Sequence, residues 1–454
     1  MTRSAPRIMA TALTALLTAC AVSQSPAVAP TPLAVGPEVV FHNGTILTME
    51  DRQPQAQAIL IQGDRIAVVG SDAEVLAHAG PGAAIIDLQG RTMVPGFIDT
   101  HTHRISWVDF GGYETYHAAI QAALEQGWTG LHELDINEGF LDTLRALDAQ
   151  GGLRLRVAGY LGINSTSWDQ PVGDRHTAYQ PTIYSPYLRL AGTKIFMIQG
   201  TRLYTDQETL SQLVRRLHDD GWQIAIEAVD SQTHQVVLNA LEYALQDASN
   251  STYRHRIEHA VAITDQQLAR MAEIGIIASI QLNLPASALG DRRLHQLVEQ
   301  EPQGSVARWR DLIQAGVPVI GNSDLPNGLD MEEIYGPPPG APIRLLYRAV
   351  TRTWADGLPP EPWMLDQAIT AEQALRLMTI NAAYATFEEN TRGSLAPGKL
   401  ADLVILSADP LTIPAGRDLL NVQVLVTMVG GNVEWCMPGH ERLCPGTTRR
   451  SDAE

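Results

Sequence analysis

Two rhythms of hydrophobic and polar positions divide this chain. From residue 38 to 94, short apolar runs rich in β-branched residues follow one another with turns between them, at 39–46, 58–62, 65–70, 84–88 and 92–94. Gly63-Asp64, between the second and third runs, is a hairpin signal. Similar runs return near the other end, at 401–406 and 424–433. Both sets read as strands, and we expect them to meet in one small β-domain. Between them, β-type runs alternate with amphipathic helical patterns, the signature of a parallel sheet with crossover helices. The candidate strands lie at 96–101, 129–135, 154–161, 192–198, 223–228, 255–260, 276–282 and 318–324. Helical patterns separate them, for example at 116–126, 206–219, 233–246, 264–274 and 305–315. Eight such strands make an α/β fold, a (β/α)8 TIM barrel, whose chemistry belongs at the C-terminal strand ends.

That rule sorts the polar residues. The first barrel strand runs from a Pro95-Gly96 turn through Phe97-Ile98-Asp99-Thr100-His101-Thr102-His103. Residues i and i+2 of a strand share a side, so His101 and His103 can offer two imidazoles to one point, as a divalent metal requires. Alone, a His-x-His pair is a weak signal. Glu227 nearly ends the fifth strand, His259 nearly ends the sixth, Asp324 ends the eighth and Lys194 lies in the fourth. Their shared position turns six unremarkable residues into one candidate mouth. His132 and Glu133, ending the second strand, either face this pocket or pack and cap a loop. Asp230 and His234 read as first-turn helix residues. Trp107, Trp168 and Trp363 line either a cleft or the core. The Pro337-Pro338-Pro339-Gly340 run marks a rigid loop bordering the mouth.

Composition narrows the partners and the compartment. The chain has 454 residues, enough for one barrel plus additional material. A net charge of −18 argues against nucleic acid, whose phosphates call for a basic face. Residues 1–20 read as an export signal: Arg3 and Arg7 precede an apolar run from Ile8 to Leu17, too short to span a membrane. Leu17-Thr18-Ala19-Cys20 resembles a bacterial lipobox, which would make Cys20 a lipid anchor, with cleavage near Ala27-Val28-Ala29 as the alternative. Residues 21–36, rich in Ala, Pro, Ser and Val, follow as a flexible tether. The remaining cysteines, Cys436 and Cys444, close a short loop containing Pro and Gly and are expected to form a disulfide, which suits an exported, periplasmic protein. A zinc site using them with His440 would have too few ligands. The expected division is therefore 37–95 and 393–435 for the β-sandwich, 96–392 for the barrel and 436–454 for the tail.

At this point the chain resembles the amidohydrolase superfamily. Met93 to His103 resembles its strand-one metal signature, Arg256-Ile257-Glu258-His259-Ala260 its strand-six ligand segment and Gly321-Asn322-Ser323-Asp324 its strand-eight acid. The run from Gly393 to Leu406 resembles the return into a composite β-sandwich, and Leu377 to Ala383 the helix before it. The likeness covers roughly residues 38–435 and is nearest to the YtcJ-like branch, which includes N-substituted formamide deformylases. Gly192-Thr193-Lys194 resembles the segment whose lysine, when carboxylated, bridges two metals in many members.

Three departures stand out. Glu227 occupies the place of an expected strand-five histidine; Gln199-Gly200 replaces an Asp-Gly pair; and the link from His103 to the second strand is short, implying a more open mouth. The resemblance implies that His101, His103, Glu227 and His259 hold one or two divalent ions, zinc foremost, with Lys194 as a carboxylated bridge. Asp324 would be both ligand and general acid–base in cleavage of a non-peptide C–N bond of a small amide-type substrate. Deamination by the same water attack stays open. So does an exported binding lipoprotein with a degenerate barrel, which the Glu227 and Gln199 departures motivate. A sugar-active barrel using Glu133 and Glu227 would need no histidine pair.

Overall fold

The computed structural model describes residues 38–163, 178–199, 202–203, 205–246, 252–284, 299–302, 304–326, 341–353, 360 and 362–446. The expected export signal, Cys20, the tether, Trp168 and residues 337–340 lie outside the described residues.

The expected eight barrel strands are all present. They are β1 (Phe97–Thr102), β2 (Trp128–Ile136), β3 (Arg156–Gly162), β4 (Leu188–Ile195), β5 (Gln223–Ala228), β6 (Arg256–His259), β7 (Ile277–Gln281) and β8 (Val319–Asn322). They lie side by side in chain order, each parallel to the next. Single hydrogen bonds bring β8 back to β1: Thr100 Oγ1 donates to the Gly321 carbonyl at 3.0 Å, and the Asp324 amide donates to the His101 carbonyl at 2.9 Å. All six residues of β1 are buried, although four of them, Asp99, Thr100, His101 and Thr102, are polar.

The strand-four expectation shifts. β4 begins at Leu188 rather than 192, because residues 188–190 pair with Val157, Ala158 and Gly159 of β3, and the short strand Thr182–Ile183 pairs antiparallel with Leu190 and Arg189. The helices between strands start where their caps dictate. Asp206, Asp230 and Thr264 accept the amides of Thr209, Thr233 and Gln267, satisfying donors that a helix N-terminus leaves open. Asp230 is thus a cap, and His234 is a buried first-turn residue whose Nδ1 meets the Asp230 carbonyl at 2.9 Å.

Two further sheets lie beside the barrel. One has four strands, ordered Arg65–Gly70, Ala58–Gln62, Glu38–His42 and Ala84–Asp87. The other has six, ordered Asn432–Cys436, Val424–Val429, Leu403–Leu406, Thr92–Pro95, Thr45–Leu47 and Gln55–Ala56, so it takes strands from both ends of the chain. The apolar run at 424–433 is two strands, because Gly430 and Gly431 turn at φ 54° and 76°, a conformation that favours glycine. Val39, Phe41, Ile59, Met93, Leu403, Ile405 and Val426 share one core between the sheets. A buried, bidentate Arg156–Asp402 pair at 2.7 and 2.8 Å ties β3 to the segment leading into Leu403–Leu406.

Cys436 and Cys444 form a disulfide, eight residues apart, that holds the buried Leu443 in this core. A loop of that size removes about 2–3 kcal/mol of chain entropy from the unfolded state. Reduction is therefore expected to lower the denaturant midpoint. Urea titrations with and without reductant check it, and an unchanged midpoint would show that the bridge carries no stability.

Candidate metal centre

β1 delivers His101 and His103 to the C-terminal mouth, and two hydrogen bonds fix their orientation. His101 Nδ1 lies 2.7 Å from Glu258 Oε2, and His103 Nδ1 lies 3.0 Å from the Leu134 carbonyl. Both partners only accept, so each imidazole carries its proton on Nδ1 and leaves a lone pair on Nε2. Burial, reinforced by the charge of Lys194, holds His101 well below its ordinary pKa against the pull of Glu258. The same causes bring His103 to about 4. Both rings are therefore neutral, the state a metal ligand needs.

The two lone pairs aim at one atom. His101 Nε2 and His103 Nε2 each lie 3.6 Å from Asp324 Oδ1, and these three residues offer donor atoms all within 4.8 Å of one another. With the imidazole protons committed elsewhere, the three electron-rich atoms repel one another unless a cation sits among them. Ligands of a tetrahedral zinc at its usual bond lengths stand about 3.3 Å apart, close to the observed spacing. A nitrogen–nitrogen–oxygen set backed by a carboxylate and a carbonyl fits a divalent ion.

The remaining sequence candidates do not join this trio. The His259 ring centroid is 5.0 Å from that of His101. Lys194 is fully buried, and its Nζ has no hydrogen-bond partner among the described residues; it lies 4.8 Å from the centre of the Phe196 ring. Glu227 is half-buried at the end of β5 and accepts the Met197 amide at 3.3 Å. His259 and Asp324 have φ of 69° and 50°. Non-glycine residues in this region are strained and concentrate at functional sites.

Buried polar groups support the mouth from beneath. Asp99 accepts the Ser323 amide at 3.0 Å and its hydroxyl at 2.5 Å, tying β1 to the turn that carries Asp324, and burial raises its carboxyl to about 6. Glu133 caps the turn after His103. It accepts the Ile105 amide at 2.6 Å, the Ser106 amide at 3.3 Å and the Ser106 hydroxyl at 3.0 Å, and burial pushes it up to about 7. Glu258 and Arg256 were invisible to a reading that took only His259 from their motif. Their i, i+2 spacing on one strand was the signal available.

A cleft of about 450 Å³ opens at the opposite end of β8, lined by Glu50, Asp51, Arg376, Glu389 and Lys399 among others. Its acids pair with Lys399, Arg376 and Arg254, so its charges are already satisfied.

Comparison with known proteins bears on the family and the fold. The chain is 24% identical to an N-substituted formamide deformylase from Arthrobacter pascens, covering 87% of this chain and 97% of that one. An uncharacterized metal-dependent hydrolase from Pyrococcus horikoshii superposes with a TM-score of 0.68 at 18% identity, covering 84% of this chain and 99% of the other. Atrazine chlorohydrolase TrzN from Arthrobacter aurescens, in complex with zinc, superposes at 0.62 and 16% identity, covering 87% and 94%. At those identities the two structures establish likeness of fold. The amidohydrolase family model matches residues 112–433, most of the chain, and this protein therefore belongs to the amidohydrolase family.

Proposed function

We propose that this protein is a metal-dependent hydrolase that cleaves a non-peptide C–N bond in a small amide-type substrate. The observation that carries this reading is the convergence of two neutral, lone-pair-bearing imidazoles and a carboxylate oxygen at 3.6 Å. His101, His103 and Asp324 would hold the ion, with His259 and Glu227 completing its shell and a carboxylated Lys194 as the bridge if a second ion binds. A divalent ion held there, zinc foremost, would supply an acidified water and Lewis-acid activation of the scissile carbonyl. Asp324 takes the proton of the attacking water and returns it to the leaving nitrogen. The buried carboxylates beneath keep β1 and the turn after Asn322 in register, so the acid meets the water at a fixed place.

The likeness to a formamide deformylase supports an amide carbonyl as the electrophile. The Cys436–Cys444 bond supports work in an oxidising compartment, and we place the mature protein in the periplasm, lipid-anchored through Cys20.

The test is turnover of a panel of N-formyl and N-acyl amines. Metal-replete protein is expected to hydrolyse at least one class, to lose at least about 100-fold in rate on chelation, and to recover with zinc, manganese or cobalt. Metal-loaded protein that binds these amides without turnover would favour an exported binding protein instead.

A further inference from the structure

Beneath the candidate centre lies a closed polar network. Arg256, Glu258 and His132 are each fully buried. The Arg256 guanidinium donates through Nε to Glu258 Oε1, and through Nη2 to Glu258 Oε2 at 2.9 Å, the Thr100 carbonyl at 2.6 Å and Ser279 Oγ at 3.1 Å. Its Nη1 reaches His132 Nδ1 at 3.2 Å, and its cationic carbon stands 5.4 Å from the centre of the Tyr160 ring. Glu258 Oε2 also lies 2.7 Å from His101 Nδ1 and accepts its N–H.

From this geometry we propose that Arg256 and Glu258 are positioning residues that set the tautomer of His101. Arg256 Nε and Nη2 each donate to one Glu258 oxygen and fix the carboxyl plane; Glu258 Oε2 then faces His101 Nδ1 and accepts its N–H; and Nε2 is thereby left bare toward Asp324. His103 needs no such device, because the Leu134 backbone carbonyl is itself a fixed acceptor. The inference rests on the metal-centre reading for its consequence, though not for the tautomer itself. Such outer partners raise ligand basicity, and their loss typically costs 10–100-fold in metal affinity.

In Glu258→Gln the side chain keeps its shape but brings an amide NH2 where one of two oxygens stood. The NH2 must now face either Arg256 Nε–H or the side shared by His101 Nδ1 and Arg256 Nη2, and an acceptor is lost there. Two measurements on the full chain test this, with circular dichroism confirming that the variant folds. The first is imidazole 15N NMR of metal-free protein, with His101 assigned by the signal lost in His101→Asn. Wild type is expected to show His101 protonated on Nδ1, and Glu258→Gln to show a shift toward Nε2 with His103 unchanged. The second is competition for Co2+ against a chelator, where Glu258→Gln is expected to bind 10–100-fold more weakly. A folded Glu258→Gln with an unchanged His101 tautomer and unchanged Co2+ affinity would overturn the proposal. Wild type with the Nδ1-protonated tautomer but no Co2+ binding would overturn the metal-centre reading while sustaining the tautomer claim.

Discussion

Asp324→Asn is expected to lower kcat by about 100- to 10,000-fold, the usual contribution of a positioned general acid–base. The substitution preserves shape, and the turn after β8 is held to β1 through backbone groups and through Asp99 and Ser323. What it removes is the charge and the capacity to take a proton. Because Asp324 Oδ1 also faces both imidazoles, metal affinity should fall as well, so the comparison belongs at saturating zinc. Under those conditions kcat should collapse while KM changes little, the pattern of a group that acts in the transition state. A variant that recovers full kcat once zinc is saturating would confine Asp324 to holding the ion and move proton transfer elsewhere.

The second large effect is on stability. Arg256→Met is expected to destabilise the fold by about 3–5 kcal/mol, the cost of removing one partner of a buried ion pair. Global stabilities are themselves only about 5–15 kcal/mol, so this variant should sit near the edge of folding. The reasoning is specific to the site: Glu258 is fully buried, and Arg256 is the foremost influence that keeps it ionised. With the cation replaced by a thioether, Glu258 must either stay charged in the buried interior without its ion-pair partner or take up a proton. The double variant Arg256→Met/Glu258→Gln should recover part of the loss, because no net charge is then buried. Urea unfolding of the two variants beside wild type measures this. A single variant within about 0.5 kcal/mol of wild type, the range of ordinary surface changes, would show the pair to be energetically idle.

The barrel was legible in the sequence because its signal is repetitive. Eight apolar runs alternate with helical patterns, and caps such as Asp206, Asp230 and Thr264 mark the helix starts. Edges were less legible. β4 starts four residues before its expected place because pairing with β3 and with Thr182–Ile183 extends it, a non-local cause. The run at 424–433 hid a turn because Gly430-Gly431 lies inside an otherwise apolar stretch.

Legibility of the site also has a physical pattern. His101 and His103 could be aimed together from strand alternation alone. Alternation fails for His259: with Arg256 and Glu258 facing the barrel interior, the next residue should point outward. A left-handed backbone at φ 69° lies at His259, and its ring comes to 5.0 Å from His101. Strain of this kind is set by tertiary packing and leaves no mark in composition or spacing. Glu133 reads from the sequence as facing the pocket or capping a loop, and the structure shows the cap, whereas Glu258 escaped assignment for another reason. Each works by accepting a hydrogen bond from a particular atom on a distant segment, His101 Nδ1 for Glu258 and the Ile105 and Ser106 amides for Glu133. Only the closed barrel brings those atoms within reach.

The measurement that tests the central claim most directly is elemental analysis of purified full-length protein, beside His101→Asn/His103→Asn. We predict one or two divalent ions per wild-type chain, zinc foremost, and less than a tenth of that in the double variant. Wild-type protein that carries no ion, and takes up none when offered zinc, manganese or cobalt, would contradict the metal centre and the hydrolytic function built on it.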